Sequence, residues 1–419
     1  RARAAAESQR RAETEAARAK KITGFVERVL SYANPAWYAE GRRQRGQARV
    51  IDVLNDLGGM IETEFPDDLI LQAELHHKCA EIFLANRMFE PAERHARRAL
   101  DLRSRVHGGR HAEVAKDLYY LGAVLLWHGS YAEGLGLLRE AGAIFRAVAP
   151  DNANLPYLLE DLGAQVSDSH VDLDEAERLL SESLELFRRH DGEAHHNTTR
   201  LYFHLALNAA KKKEFARADA LLREGEARSA GQTDAAAYAL PLRFRAEIEM
   251  ERGNYRAAEE ALKRYAAELR AAQGENSGQE EAYVERLLLK IYDREQQWAK
   301  AVELVRADAE AEKKVSSETS PGYNGRLALL SLYLLRAGRT REGATYFERA
   351  RRGFGGGTPS HQADVRLSLG ECLLLLGRRD EALPLLEAAR AFYAANFPAT
   401  LPSRVLAEEL AARARGEKL

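Results

Sequence analysis

The sequence predicts an all-α fold, a right-handed α-solenoid superhelix of about eight helix pairs closed by helical caps. Three observations carry this. Ala, Leu, Glu and Arg dominate a chain that is 45% apolar and 30% charged, a composition that favours helices. A length of 419 residues exceeds one ordinary domain, yet no Pro/Gly/Ser-rich linker divides it. A motif recurs eight times, built on a small residue at Ala92, Gly134, Ala176, Ala218, Ala258, Ala301, Gly343 and Ala382, followed four positions later by a large apolar one in all but the first. These lie 39 to 43 residues apart, and a fixed period of that size means stacked supersecondary units.

Within each unit a second small or medium residue, usually after Leu, precedes the anchor by about 12 residues, as in the pairs Leu121-Gly122, Leu205-Ala206 and Leu369-Gly370. In the third unit Leu162 and Gly163 sit one residue early, so its turn, SDSHVDL, is one residue longer. Each unit is then two amphipathic helices joined by a tight turn. Small residues let the helices approach, and Leu138, Leu180, Leu222, Leu262, Val305, Phe347 and Leu386 fill the space between them. A hairpin of this kind cannot hide its apolar stripe alone and must stack on its neighbours.

The elements follow in order. Residues 1–21 hold seven Arg or Lys against three Glu and no apolar side chain larger than Ala, a charged helical linker. Residues 22–68 form the N-terminal caps, with Ile22, Phe25, Val26, Val29 and Leu30 at helical spacing before a second amphipathic segment. The repeat array occupies 69–399. Residues 400–419 begin their helix at Pro402 and end in a polar stretch, as a C-terminal cap must to shield the last apolar face.

The pattern W/L-x-x-L-G-x-x-Y followed by Y/F-x-x-A-x-x-x-F/L-x-x-A resembles the tetratricopeptide repeat, and the 42-residue period resembles its kinesin-light-chain-like form. Departures are Thr340 and Arg379 in place of an aromatic before the anchor, and Gly225 and Tyr265 in place of the later alanine. That form carries G-x-x-H-P in the loop entering each pair, which implies that His111, His195 (or His196) and His361 are recurring loop residues and not a metal site. The first hundred residues are also similar to the segment that follows the membrane span in bacterial transmembrane serine/threonine protein kinases. This resemblance implies a place in bacterial signalling, and, as an alternative reading, a regulatory region whose kinase domain and inner-membrane anchor lie upstream of Arg1.

Charge and motifs exclude several classes. A net charge of −2 gives no general field for nucleic acid. No run of 18 apolar residues occurs, so this segment is read as soluble, with no direct membrane insertion and its cellular location open. Cys79 and Cys372 fall in apolar helical patterns and read as core residues. The run GFGGGT at 353–358 lacks a preceding strand and a P-loop lysine, and is an inter-repeat loop. Asp168, Asp172 and Asp174 lack the glycine and closing glutamate of a calcium loop and read as a solvated turn. No catalytic signature, cofactor or metal is indicated, and the chain reads as non-catalytic.

Binding is the function that remains. In tetratricopeptide arrays the first helix of each pair lines the concave face, and the resemblance places Lys116, Tyr119, Tyr120, Arg200, Phe203, His204, Arg243, Phe244, Tyr283, Arg286 and Lys290 there. Basic groups interleaved with aromatic rings suit a protein or peptide ligand of acidic character. The asparagine that clamps peptide backbone in kinesin light chains has no counterpart: Tyr120, Asp161, His204 and Phe244 stand at its place. Oligomeric state is left open, with self-assembly through units seven and eight a third possibility.

Overall fold

The computed structural model describes residues 23–24, 50–86, 88–229, 235–273 and 278–417. Within them the chain is helical, with no strand. The 1–21 linker and most of the first capping segment, including Ile22, Phe25, Val26, Val29 and Leu30, lie outside the described residues.

The helices are α1 Val50–Glu64, α2 Leu69–Ala85, α3 Phe89–His107, α4 Ala112–His128, α5 Tyr131–Val148, α6 Asn154–Ser169, α7 Leu173–His190, α8 His196–Lys211 and α9 Phe215–Ser229. They continue as α10 Ala235–Arg252, α11 Tyr255–Gln273, α12 Gly278–Arg294, α13 Trp298–Val315, α14 Pro321–Arg336, α15 Thr340–Gly353, α16 Pro359–Leu375, α17 Arg379–Asn396 and α18 Pro402–Arg415. The order α2/α3 through α16/α17 gives eight pairs, preceded by α1 and followed by α18. The chain divides into two compact units, Arg1–Val124 and Leu125–Leu419.

The first unit packs α1, α2 and α3 through Leu57, Ile61, Phe65, Leu71, Cys79, Phe83 and Ala92. Its interior is also polar. His77 Nδ1 bonds Asp117 Oδ1 at 2.8 Å, and Arg103 reaches the same oxygen at 3.3 Å. His76 and His95 face each other through their Nδ1 atoms at 2.9 Å, with Phe83 stacked on His95. Burial is the main cause that lowers both imidazoles to about 4, and the neighbouring charges of Arg98 and Arg94 add to it. Both are therefore neutral at pH 7.

In the second unit the predicted anchors are the crossing points. Ala176, Ala218, Ala258, Ala301 and Ala382 have no accessible surface, and Leu138, Leu180, Leu262, Val305 and Leu386 have none either. Each such Leu contributes roughly 1.5–3 kcal/mol by burial. The glycines among the crossing residues are there for space: a Cβ on Gly163 would stand 2.8 Å from Leu180 Cγ, and one on Gly370 would stand 2.5 Å from Leu386 Cγ. Both departures from the later alanine have local reasons. A Cβ at Gly225 would lie 2.3 Å from the Phe203 ring, and the Tyr265 hydroxyl donates to Glu280 at 2.8 Å.

The turn inside each pair of this unit uses a left-handed residue: Gly129, His170, Lys213, Gly253, Gln296, Gly338 and Gly377, at φ between 54° and 98°. They recur 39 to 43 residues apart, at the repeat period. Three of them carry side chains in a region that favours glycine.

The loop histidines serve as helix starts. The ring nitrogens of His111 and His195 accept from the backbone N–H of Glu113 and Asn197. His361 departs from expectation, because Thr358 caps α16 and His361 lies in its first turn, bonded through Nε2 to Pro321 O at 3.0 Å. Its ring therefore ties one pair to the preceding one. No helix of the described residues is long and apolar enough to cross a membrane.

Candidate functional site

The first helices of four successive pairs in the second unit, α6, α8, α10 and α12, each present side chains to a shared shallow cleft. Helical spacing aligns them. Ala164 and Asp168 on α6, His204, Leu207 and Lys211 on α8, and Arg243 and Glu247 on α10 are three or four residues apart and so share a face. Tyr283, Arg286 and Lys290 continue the series on α12.

Most of the charge is paired. Glu160, nearly buried, takes Arg200 bidentately at 2.5 and 2.6 Å, and His204 Nε2 lies 3.4 Å from the same carboxylate. Lys211 Nζ bonds Asp168 at 2.5 Å. Burial works against the Asp168 charge, but Lys211, His204 and Lys290 outweigh it and hold its carboxyl below the ordinary range. Arg243 Nε sits 3.4 Å from Glu247 Oε1. Burial, only partly opposed by Arg243, raises the Glu247 carboxyl, and burial followed by Glu247 pushes the Tyr283 hydroxyl well above the usual phenol range.

An aromatic and cationic stack forms the floor. The Arg243 guanidinium lies 4.6 Å over the Phe244 ring and 5.0 Å from that of Tyr283, while Arg286 covers Tyr283 at 5.1 Å. His204 stands edge-on to Phe244 at 4.9 Å, lowered to about 4 chiefly by burial and then by Arg243 and Arg200, against Glu160. It is a neutral imidazole at physiological pH. Arg286 and Lys290, one turn apart on α12, make no ion pair within 4 Å with a carboxylate among the described residues. The helices around Lys290 lower its ammonium first and Arg286 lowers it further, with Glu247 and Asp168 opposing only in part.

The structure thus sorts the predicted residues. His204, Arg243, Phe244 and Tyr283 meet at the cleft, with Arg200 beside it on Glu160 and Arg286 and Lys290 at the outer end of the stack. Phe203 does not reach the face: it is 1% exposed, stacked on Phe244 at 5.6 Å and pressed against Gly225, so it supports the floor from behind. Phe244 has no solvent-exposed surface, although the cleft passes it. Lys116, Tyr119 and Tyr120 lie on α4 in the first unit, where Tyr120 is edge-on to His77 at 4.5 Å and pushed up to about 12 by burial and Glu81.

Glu160 and Glu247 also fall at inner-face positions of the repeat register, whereas the sequence places Asp168 in a turn. Asp168 is solvent-exposed, as expected, but stands in the last turn of α6 and lines the cleft; Asp172 caps α7 by accepting from Glu175 N at 2.7 Å, and Asp174 pairs with Lys212. A signal existed: Glu160 and Arg200, like Asp168 and Lys211, are 40 and 43 residues apart, one repeat. Among the described residues no cluster of three or more potential ligands is placed to hold a metal.

No protein-family model matches the sequence. No curated protein matches it. Among solved structures, the apo form of the quorum sensor NprR from B. thuringiensis is similar at 15% identity, over 89% of this chain and 99% of that one, with a TM-score of 0.47. BtubC (BKLC) from P. vanneervenii is 17% identical over 52% of this chain and 88% of its own, with a TM-score of 0.43. A putative kinesin light chain from Podosopora anserina with nearly identical TPR-like repeats gives 15%, 48%, 96% and 0.40 in the same order. These are likenesses between helical-repeat proteins and nothing finer.

Proposed function

We propose that the second unit is a non-catalytic docking module for a peptide or an extended protein segment, held on the face formed by α6, α8, α10 and α12. One observation carries the reading. In a face where Arg200, Lys211 and Arg243 each have a carboxylate within 3.4 Å, Arg286 and Lys290 make no such pair among the described residues, and they stand next to the Arg243–Tyr283 stack. Two adjacent cations outside any ion pair favour an anionic group, because the carboxylate of a ligand relieves their mutual repulsion, which Glu247 and Asp168 offset only in part at Lys290. The stack supplies flat area for an apolar or aromatic side chain next to it. The ligand that fits is an acidic segment with an aromatic residue near its carboxylates.

A random twelve-residue peptide library panned on the chain tests this. Enriched sequences should join Asp or Glu to an aromatic residue, and Arg286→Glu with Lys290→Glu should abolish their capture with helicity unchanged. Arg243 is left intact, since its guanidinium holds two rings together. Enrichment of basic peptides, or capture unaffected by the double reversal, would overturn the proposal.

A further inference from the structure

The second unit touches itself across almost its whole length. Thr400 Oγ1, in the turn before α18, donates to Ser169 O at the end of α6 at 2.8 Å, a contact spanning 231 residues. Phe397, at the end of α17, stacks on Tyr131, the first residue of α5, at 5.2 Å and 26°. Phe397 is itself braced by Tyr393 at 5.8 Å and Phe392 at 6.1 Å. A third contact adjoins these two: a Cβ on Gly129 would stand 2.7 Å from Ser360 Cβ and 3.5 Å from Phe392. Three segments of the early pairs, the α4–α5 turn, the start of α5 and the end of α6, therefore meet three of the last pair.

The electrostatics of the inner helices agree with a closed course. Lys290 of α12 acts on Asp168 of α6, and Arg286 of α12 acts on Asp364 of α16, although burial still raises the Asp364 carboxyl. The clasp is small, one aromatic stack, one hydrogen bond and one close backbone approach, so it is weak enough to open. Tyr131 is anchored independently by its hydroxyl, which donates to Gln165 O at 2.7 Å, so the aromatic face it offers is fixed before Phe397 arrives.

We infer that these contacts are a clasp that closes the second unit into an eyelet, and that its partner is a linear polypeptide segment that enters by a free end or after the clasp opens. This rests on reading the cleft as a docking site, since the cleft lies on the helices that the clasp encloses. A folded domain does not pass a closed loop of helices, and a segment without free ends must wait for opening. Binding of such a segment is then reduced by the fraction of molecules that are open.

Spin labels on cysteines at Val171 and Ala399, both exposed and flanking the clasp, test the closure without any ligand. The two native cysteines are buried. The parent chain should give one short, narrow distance distribution, and Phe397→Ala with Thr400→Val should lengthen and broaden it. A long or broad distribution in the parent, or no change in the variant, would overturn the clasp. The second measurement uses the best peptide from panning, either with free ends or inserted in the loop of a stable carrier protein. The inserted form should bind the parent at least about tenfold more weakly than the free form, and the difference should vanish in the clasp variant. Equal binding of both forms to the parent overturns the eyelet. If panning yields no peptide, the docking reading fails, while the label distances still decide the clasp.

Discussion

Acidification tests the polar interior of the first unit most directly. His76 and His95 share one Nδ1–Nδ1 hydrogen bond at 2.9 Å and are lowered to about 4, against 6.5 in the unfolded chain. A base whose folded value is depressed is stabilising while it stays neutral. Between pH 6.5 and 4 the unfolded state binds protons that the folded state refuses, so stability falls as pH falls through that window. At pH 5 the unfolded chain gains about 2 kcal/mol for each imidazole, and about 3–4 kcal/mol for the pair. Glu62 tempers this only slightly: it lies 3.9 Å from His76 Nε2 and is half exposed. Urea unfolding followed by the helical circular-dichroism signal at pH 7.5 and pH 5.0 measures the loss. Carboxylates also titrate, so the pair is isolated by difference, using His76→Gln with His95→Gln, which keeps a donor facing an acceptor without a titrating ring. The double variant should lose about 3 kcal/mol less on acidification. Equal losses in both proteins would show that the rings are not the buried neutral pair described.

Four further outcomes follow from the second unit. Gly225→Ala should destabilise despite better helix propensity, since overpacking against Phe203 costs about 1–3 kcal/mol while the propensity gain is about 1 kcal/mol; thermal unfolding reads the net. Gln296→Gly should raise thermal stability by about 0.5–1 kcal/mol, because an exposed left-handed residue is relieved of its Cβ strain, and an unchanged midpoint would argue against the turn geometry. Ala218→Arg should cost at least about 2 kcal/mol in the same assay by charging and overfilling a helix crossing. Glu160→Gln should cost about 2 kcal/mol by leaving Arg200 without its carboxylate, and should move the His204 titration, read by NMR, further below 4 because the anion that raises it is gone.

The repeat was legible because its signal is a packing constraint repeated in register. At Ala218 or Ala301 only a small side chain fits a helix crossing, and a volume limit of that kind leaves the same mark in every unit. The turns were half hidden. Their left-handed residue recurs as strictly as the alanines, but His170, Lys213 and Gln296 accept the strain where glycine would have announced it. Site residues were harder, since neighbours on a helix are about 100° apart. Phe203 and His204 cannot both face the cleft, and what sends Phe203 into the core is the space at Gly225, 22 residues away, which no spacing rule within α8 contains. The contact between Thr400 and Ser169 left no local trace at all: a turn threonine and a helix-end serine are ordinary residues until the stack brings them together.

Once the period is known, the ion pairs between neighbouring pairs become readable too. On the inner helices Glu160 and Arg200 stand 40 residues apart, and Arg336 and Glu371 stand 35 apart. On the second helices the separation is 36 for Arg139 with Glu175 at 3.0 Å, Arg146 with Glu182 at 2.7 Å and Arg306 with Glu342 at 2.7 Å, and 40 and 41 for Glu177 with Arg217 and Glu259 with Lys300. Both faces therefore hold level pairs and pairs about one helical turn out of step, a difference that long side chains span. Exposed pairs of this kind contribute only about 0–1 kcal/mol each, too little to hold the stack. What holds the register is the volume limit at the alanine crossings, buried without accessible surface, and it sets which side chains of α6, α8, α10 and α12 arrive at one cleft.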